Sequence, residues 1–189
     1  MDKLIFIRHS QSRPTPGQPA SSWPLTSVGR ERCQPLARWL SSHEPLTIVS
    51  SEERKAMETA QLAASQLGIP WSTASGLQEH DRTGEPYHSQ EQFLALVERL
   101  FREPQATVFG RESGAQALAR FEQALATVLR SRPPGNLAVV THGTVLSLFV
   151  GAHSDHDPLS FWQRLRQPSI VVFSLPDLTL LEVVDEALF

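Results

Sequence analysis

The sequence predicts a layered α/β fold with a sheet that is at least partly parallel, and three features of it point there. Short continuous apolar runs, Leu4–Ile7 and Leu137–Val140 among them, have the pattern of strands buried on both faces. Amphipathic stretches with helical spacing alternate with these runs, as in α/β proteins. Ser89-Gln90-Glu91-Gln92 and Ser113 to Gln116 both read as capping boxes, which mark helix starts.

Each element follows in chain order. Leu4–Ile7 is the first strand, and a Pro-, Ser- and Gly-rich loop from Ser12 to Pro24 follows it. Thr26 is placed to cap a helix over Ser27–Leu40, in which Pro35 removes a backbone donor and favours a kink. Leu46–Val49 reads as a second strand ending at Ser50-Ser51. A helix over Arg54–Leu67 shows Ala56, Ala60, Ala63 and Leu67 on one face, with Gly68 as its stop. Trp71–Thr73 is a short third strand, and 75–86 reads as an irregular loop. The two capping boxes open helices whose apolar sides are Phe93, Val97 and Leu100, then Leu118, Phe121, Leu125 and Val128. Pro133-Pro134-Gly135-Asn136 breaks the chain before Leu137–Val140, and a further helix is expected to start near Gly143-Thr144. Ile170–Leu175 and Leu178–Val184 read as closing strands joined by a turn at Pro176-Asp177. No repeat or linker interrupts this order, so residues 1–189 are expected to form a single domain.

Composition narrows the function. Hydrophobic residues at 40% and charged residues at 20% are enough for a sizeable core. A net charge of −3, from 17 basic and 20 acidic residues, gives no support for binding nucleic acid or an anionic membrane. Any anion must be held by a local cluster. Cys33 is the lone cysteine, so no intrachain disulfide can form, and it reads as a small apolar filler. The first apolar run is too short for a signal-peptide core or a membrane span, and a soluble, cytoplasmic protein is expected. Oligomeric state is not legible.

Ligands of open α/β sheets gather beyond the carboxyl ends of strands. Arg8-His9, Ser50-Ser51 and His142-Gly143 all fall at such ends. One histidine there is an ordinary structural feature; two at equivalent ends, one beside an arginine and one before a glycine, form a candidate anion site.

The motifs around them carry a resemblance. Phe6-Ile7-Arg8-His9-Ser10-Gln11-Ser12, Leu25-Thr26-Ser27-Val28-Gly29, the Ser51 to Ala60 stretch and Val140-Thr141-His142-Gly143 occur in order. Together they resemble the histidine phosphatase (phosphoglycerate mutase-like) superfamily. The resemblance implies a three-layer sandwich, with a mostly parallel central sheet and helices on both faces. It also implies a phosphomonoesterase in which His9 takes up the phosphoryl group. A neutral imidazole avoids the repulsion an anionic nucleophile meets at a phosphate, and it splits the transfer into two steps. By the same resemblance Arg8, Lys55 and His142 bind the phosphoryl oxygens, with Ser12 and the backbone at Gly143 and Thr144 as further donors. Glu79, with Asp81 and Glu85 as alternatives, would be the acid and base, a role that calls for a raised pKa. Gly110-Arg111-Glu112-Ser113 matches another element of the family. The substrate is a phosphorylated small molecule sooner than a protein, and no cofactor or metal is implied.

Two positions depart from the family pattern. Lys55 stands where a second arginine is usual, with Arg54 beside it as the alternative, and lysine lacks the bidentate fork. Ser10 stands where glycine is usual, which requires backbone angles open to a residue with a Cβ. These departures keep a second reading open, a phosphate-binding module without turnover. A mutase is a third, although the short chain leaves little room for the insertions that exclude water. Metal binding is the other use for seven histidines, with His153-Ser154-Asp155-His156-Asp157 the densest cluster, but no paired-ligand spacing supports it.

Overall fold

The computed structural model describes residues 1–184. Its sheet has six strands in the order β3-β2-β4-β1-β5-β6. They are β1 (Lys3–Arg8), β2 (Thr47–Ser50), β3 (Trp71–Thr73), β4 (Leu137–Thr141), β5 (Ser169–Ser174) and β6 (Leu180–Val184). β1, β2, β3 and β4 pair in parallel, while β5 runs antiparallel to both β1 and β6. One strand is therefore reversed, and the sheet is mostly parallel.

Helices cover both faces because the strands alternate. Leu4 and Phe6 of β1 point to one core, Ile5 and Ile7 to the other. α1 (Ser27–Ser41) and α2 (Arg54–Leu67) bury Leu36, Leu40, Ala56, Ala60 and Ala63 against the Ile5/Ile7 face. α3 (Gln90–Arg102), α4 (Gly114–Ser131), α5 (Gly143–His153) and α6 (Pro158–Arg164) contribute to the larger core on the opposite face. Phe6 is central there, with ring centroids 5.0 Å from Phe149, 5.8 Å from Phe121 and 5.9 Å from Phe173. The result is a three-layer α/β sandwich.

Local signals explain most boundaries. Thr26 accepts a hydrogen bond from the Gly29 amide at the start of α1. Both capping boxes form as the sequence predicts, and Gly68 ends α2 in the left-handed region at φ 66°. α1 continues through Pro35 to Ser41, because Cys33, Leu36, Ala37 and Leu40 on either side are buried against the sheet. Leu118, expected in the core, is only partly buried, and Ala117 is the fully buried neighbour. α6 is an element the periodicity does not reveal. It is too short for a helical pattern, although the Asp157 cap on the Ser160 amide and Pro158 in its first turn are legible signals.

The register brings the functional strand ends abreast. Arg8 lies opposite Thr141, and Ser50 opposite Val140. The His9 amide donates to the Thr141 carbonyl at 2.9 Å, and the Ser51 amide to the Val140 carbonyl at 2.9 Å. Three separate sequence segments thus meet along one edge.

Candidate active site

At that edge opens a cleft of about 1600 Å³. Arg8, His9, Ser12, Lys55 and Glu79 line it, together with Glu53. His142, Gly143 and Thr144 are fully buried or nearly so, one layer beneath.

His9 is held as a single tautomer. Its Nδ1 lies 2.7 Å from the Ser10 carbonyl oxygen, which can only accept, so Nδ1 carries the proton and Nε2 keeps its lone pair. Burial, reinforced by the charge of Lys55, holds its pKa well below the usual imidazole range. The ring is therefore neutral over the physiological pH range, with its Nε2 lone pair free.

Ser10 fits where glycine is usual. Its backbone is outside the left-handed region, so a Cβ is tolerated. The amide donates to Thr59 Oγ1 at 3.0 Å and the hydroxyl to the Gly29 carbonyl at 2.7 Å. Ser10→Gly is expected to keep kcat/KM within about threefold. It should destabilise the fold by about 1–2 kcal/mol, through the lost bond and added backbone freedom. Thermal denaturation beside steady-state kinetics checks both, and a large kinetic defect with unchanged stability would contradict this account.

Arg8 and His142 each keep one buried nitrogen without a protein partner. Arg8 Nη1 donates to the Leu165 carbonyl, but its buried Nε has no partner. Burial pushes its pKa down to about 10, which still leaves it charged at neutral pH. His142 packs edge-on to His9, ring centroids 5.2 Å apart, with Nε2 2.8 Å from Ser51 Oγ and a buried Nδ1 without partner. Burial lowers its pKa to about 4. A Cβ at Gly143 would lie 3.0 Å from Arg8 Cζ and Nε, so glycine leaves the buried guanidinium its room.

Lys55 and Arg54 separate cleanly. Lys55 is buried, and its Nζ lies 2.5 Å from Glu53 Oε2 and 2.9 Å from the Ala20 carbonyl. Arg54 points outward, with 54% of its side chain exposed, and pairs with Glu58 at 2.9 Å. Lys55→Ala is expected to lower kcat/KM at least tenfold, about 1.4 kcal/mol of barrier. Arg54→Ala should change it less than about twofold, because exposed pairs contribute little. Parallel kinetics of the two variants decide which cation serves the site.

Glu79 departs from expectation in its charge. A raised pKa was expected of the acid, yet this carboxyl is held at about 2. Burial works against ionisation, but Arg82, His142 and the amides of Thr144 and His80 outweigh it. Oε2 accepts from the Thr144 amide at 3.0 Å and Oε1 from the Val145 amide at 3.2 Å, so Glu79 sits on the N-terminus of α5. The Thr144 amide, expected to serve the phosphate, therefore serves Glu79 instead. Arg82 completes the corner, its Nη2 3.7 Å from Glu79 Oε2 and 3.3 Å from Thr144 Oγ1, with the guanidinium over Phe93.

The alternative carboxylates are engaged locally. Asp81 accepts from the Thr83 amide at 2.8 Å, and Glu85 from the Gly110 amide at 2.8 Å. The Gly110–Ser113 element tethers the Glu79 loop. Glu112 accepts from the Asp81 amide and from Arg120, and Arg120 also donates to the carbonyls of Gly76, Gln78 and Glu79. His80 Nε2 donates to the Glu112 carbonyl at 2.7 Å, a structural use. Gly110 (φ 75°) is obligatory, since a Cβ would lie 2.0 Å from the Asp81 carbonyl.

Glu53 and Arg82 were not picked out by sequence reasoning. Glu53 lies two residues before Lys55, and Arg82 three after Glu79. Each reads as an ordinary charge near a helix start or in a loop until folding buries its partners. Away from the cleft, His153 pairs with Glu122 at 2.8 Å. Among the described residues, no group of His, Cys, Asp and Glu is placed to hold a metal ion, and no helix is long and apolar enough to cross a membrane.

Comparison with known proteins bears on this geometry. A mycobacterial glucosyl-3-phosphoglycerate phosphatase in complex with VO3 superimposes with a TM-score of 0.79 at 21% identity, over 99% of this chain and 100% of that one. Phosphoserine phosphatase from Entamoeba histolytica, in complex with 3-phosphoglyceric acid, superimposes at 0.78 and 18% identity, over 100% and 99% of the two chains. A glucosyl-3-phosphoglycerate phosphatase from Mycolicibacterium vanbaalenii is 34% identical over 80 residues, 41% of this chain. That stretch spans 36% of the relative's own length. Residues 4–177 match the histidine phosphatase superfamily (branch 1), a span that includes every side chain placed in the cleft above, and the chain belongs to that superfamily.

Proposed function

We propose that this protein is a phosphomonoesterase that hydrolyses a small phosphorylated molecule through a phosphohistidine on His9. The observation that carries this reading is the locked His9 tautomer, with its free Nε2 in a cleft also lined by Arg8 and Lys55. In the first step Nε2 forms a bond to phosphorus as the ester P–O bond breaks, and the departing alkoxide is protonated through Glu79, which takes that proton from the bound substrate monoanion. A water then attacks the phosphohistidine, returns a proton to Glu79 and leaves inorganic phosphate. The Arg8 guanidinium, the His142 ring and the Lys55 ammonium stabilise the equatorial oxygens while charge redistributes.

Family membership and the phosphatase activities of the relatives support hydrolysis over a mutase reaction. The relatives named for glucosyl-3-phosphoglycerate and phosphoserine favour a small-molecule substrate over a phosphoprotein. The reading of a module without turnover loses its motivation, because Ser10 is accommodated and Lys55 reaches the cleft. One sheet with a core on each face supports treating 1–189 as a single domain. The lone buried Cys33 fits the cytoplasmic setting we assign to it.

A panel of phosphorylated metabolites, three-carbon phospho-acids and sugar phosphates included, is the direct test. Phosphate release from at least one is expected, with EDTA present. Interconversion of 2- and 3-phosphoglycerate without phosphate release would overturn hydrolysis in favour of the mutase.

A further inference from the structure

We infer that Glu53 is a positioning residue that turns Lys55 into a directed donor for the phosphoryl oxygens, an assignment that rests on the phosphatase reading. An ammonium has three hydrogens at tetrahedral angles. Glu53 Oε2 at 2.5 Å and the Ala20 carbonyl at 2.9 Å take two of them, so the direction of the third is set. The Trp23 ring, 5.9 Å from Nζ, closes another side. Lys55 lines the cleft together with Arg8 and His9, on the side where the phosphoryl group would be held.

Glu53 is itself fixed. It is buried at 8% exposure, and its Oε1 accepts from the Glu79 amide at 2.9 Å and lies 3.6 Å from His142 Nε2. Its own amide donates to Ser51 Oγ at 3.2 Å, and the same oxygen meets His142 Nε2. One carboxylate thus contacts Lys55, the Glu79 loop and the underside of His142. The physical need follows from the residue type. An arginine brings a rigid fork, whereas a lysine stem carries about 2 kcal/mol of rotamer entropy that must be lost before its charge is useful. Pinning the ammonium in advance removes that loss from the binding step.

A second role for a buried anion here predicts the opposite sign. If Glu53 were only a negative charge near the phosphate, its removal would tighten anion binding; if it directs Lys55, removal weakens it. The test is calorimetric titration of inorganic phosphate into wild type, Glu53→Ala, Lys55→Ala and the double variant. Phosphate affinity is expected to fall at least about tenfold in Glu53→Ala, and by less than about twofold when the same change is made in Lys55→Ala. Unchanged or tighter binding overturns the assignment. So does an equal loss in both backgrounds, which is the signature of a merely structural contact through the Glu79 loop. Should Glu53→Ala not fold, the shape-preserving Glu53→Gln is read by the same signs. Phosphate binding needs no turnover, so this result stands apart from the metabolite panel that tests the phosphatase reading.

Discussion

Replacing His9 with alanine is expected to abolish phosphate release, lowering kcat/KM by at least about a thousandfold, roughly 4 kcal/mol of barrier. The size of the effect comes from the two-step route. Without Nε2 no phosphoenzyme forms, and the remaining cations can only assist a direct attack by water. Binding should survive the change, because in the proposed mechanism Arg8 and Lys55 hold the phosphoryl oxygens independently of the nucleophile. His9→Ala is therefore expected to bind inorganic phosphate within about threefold of wild type while losing turnover. A burst of radiolabel carried by the wild-type chain, stable to alkali and absent from the variant, identifies the phosphohistidine. Wild-type turnover by His9→Ala would refute the mechanism.

The second large effect concerns Glu79 and has a pH signature. A carboxyl held at about 2 is ionised in the resting enzyme at any ordinary pH, so the proton for the leaving group must arrive with the substrate. A phosphate monoester loses its second proton near pH 6. Monoanion plus ionised Glu79 is the same charge state as dianion plus protonated Glu79, and a dianion beside the carboxylate raises its proton affinity. The sign follows: kcat/KM for an alkyl phosphate falls as pH rises through about 6. On the acid side nothing comparable is lost, because His9 is held well below the usual imidazole range and stays unprotonated. An acidic optimum is expected. Glu79→Gln should slow alkyl phosphates about a hundredfold or more, and aryl phosphates, whose leaving groups need no proton, about tenfold or less. Equal losses on both substrate classes, or an alkyl profile flat from about pH 5 to 8, would remove Glu79 from the acid–base role.

Legibility varied with the range of the interaction that decides each feature. Thr26, Ser89, Ser113 and Gly68 act within one turn of chain, and those helix boundaries fall where the residues place them. The apolar runs of β1 and β4 are buried throughout their centres, as a parallel interior requires. Arg8 and His9 could be paired with His142 only because motifs at three strand ends converge. The charge state of Glu79 was read with the wrong sign. A loop carboxylate in a dry pocket is raised by burial alone, and nothing in the local sequence shows that the N-terminus of α5 and Arg82 will meet it. Glu53 escaped notice for the same reason.

Neighbours along the chain fix the alternation of strands and helices, their caps, and which residue types stand at the strand ends, so these are legible without a structure. Tertiary structure alone decided that Lys55 and not Arg54 faces the cleft, that Ser10 is tolerated beside His9, and that Glu79 is ionised. Each of those outcomes is set by atoms far apart in sequence: the Ala20 carbonyl against Lys55, Gly29 and Thr59 against Ser10, and the amides of α5 against Glu79. Electrostatics and close packing act through space, so they have no value until the sheet has brought those groups together.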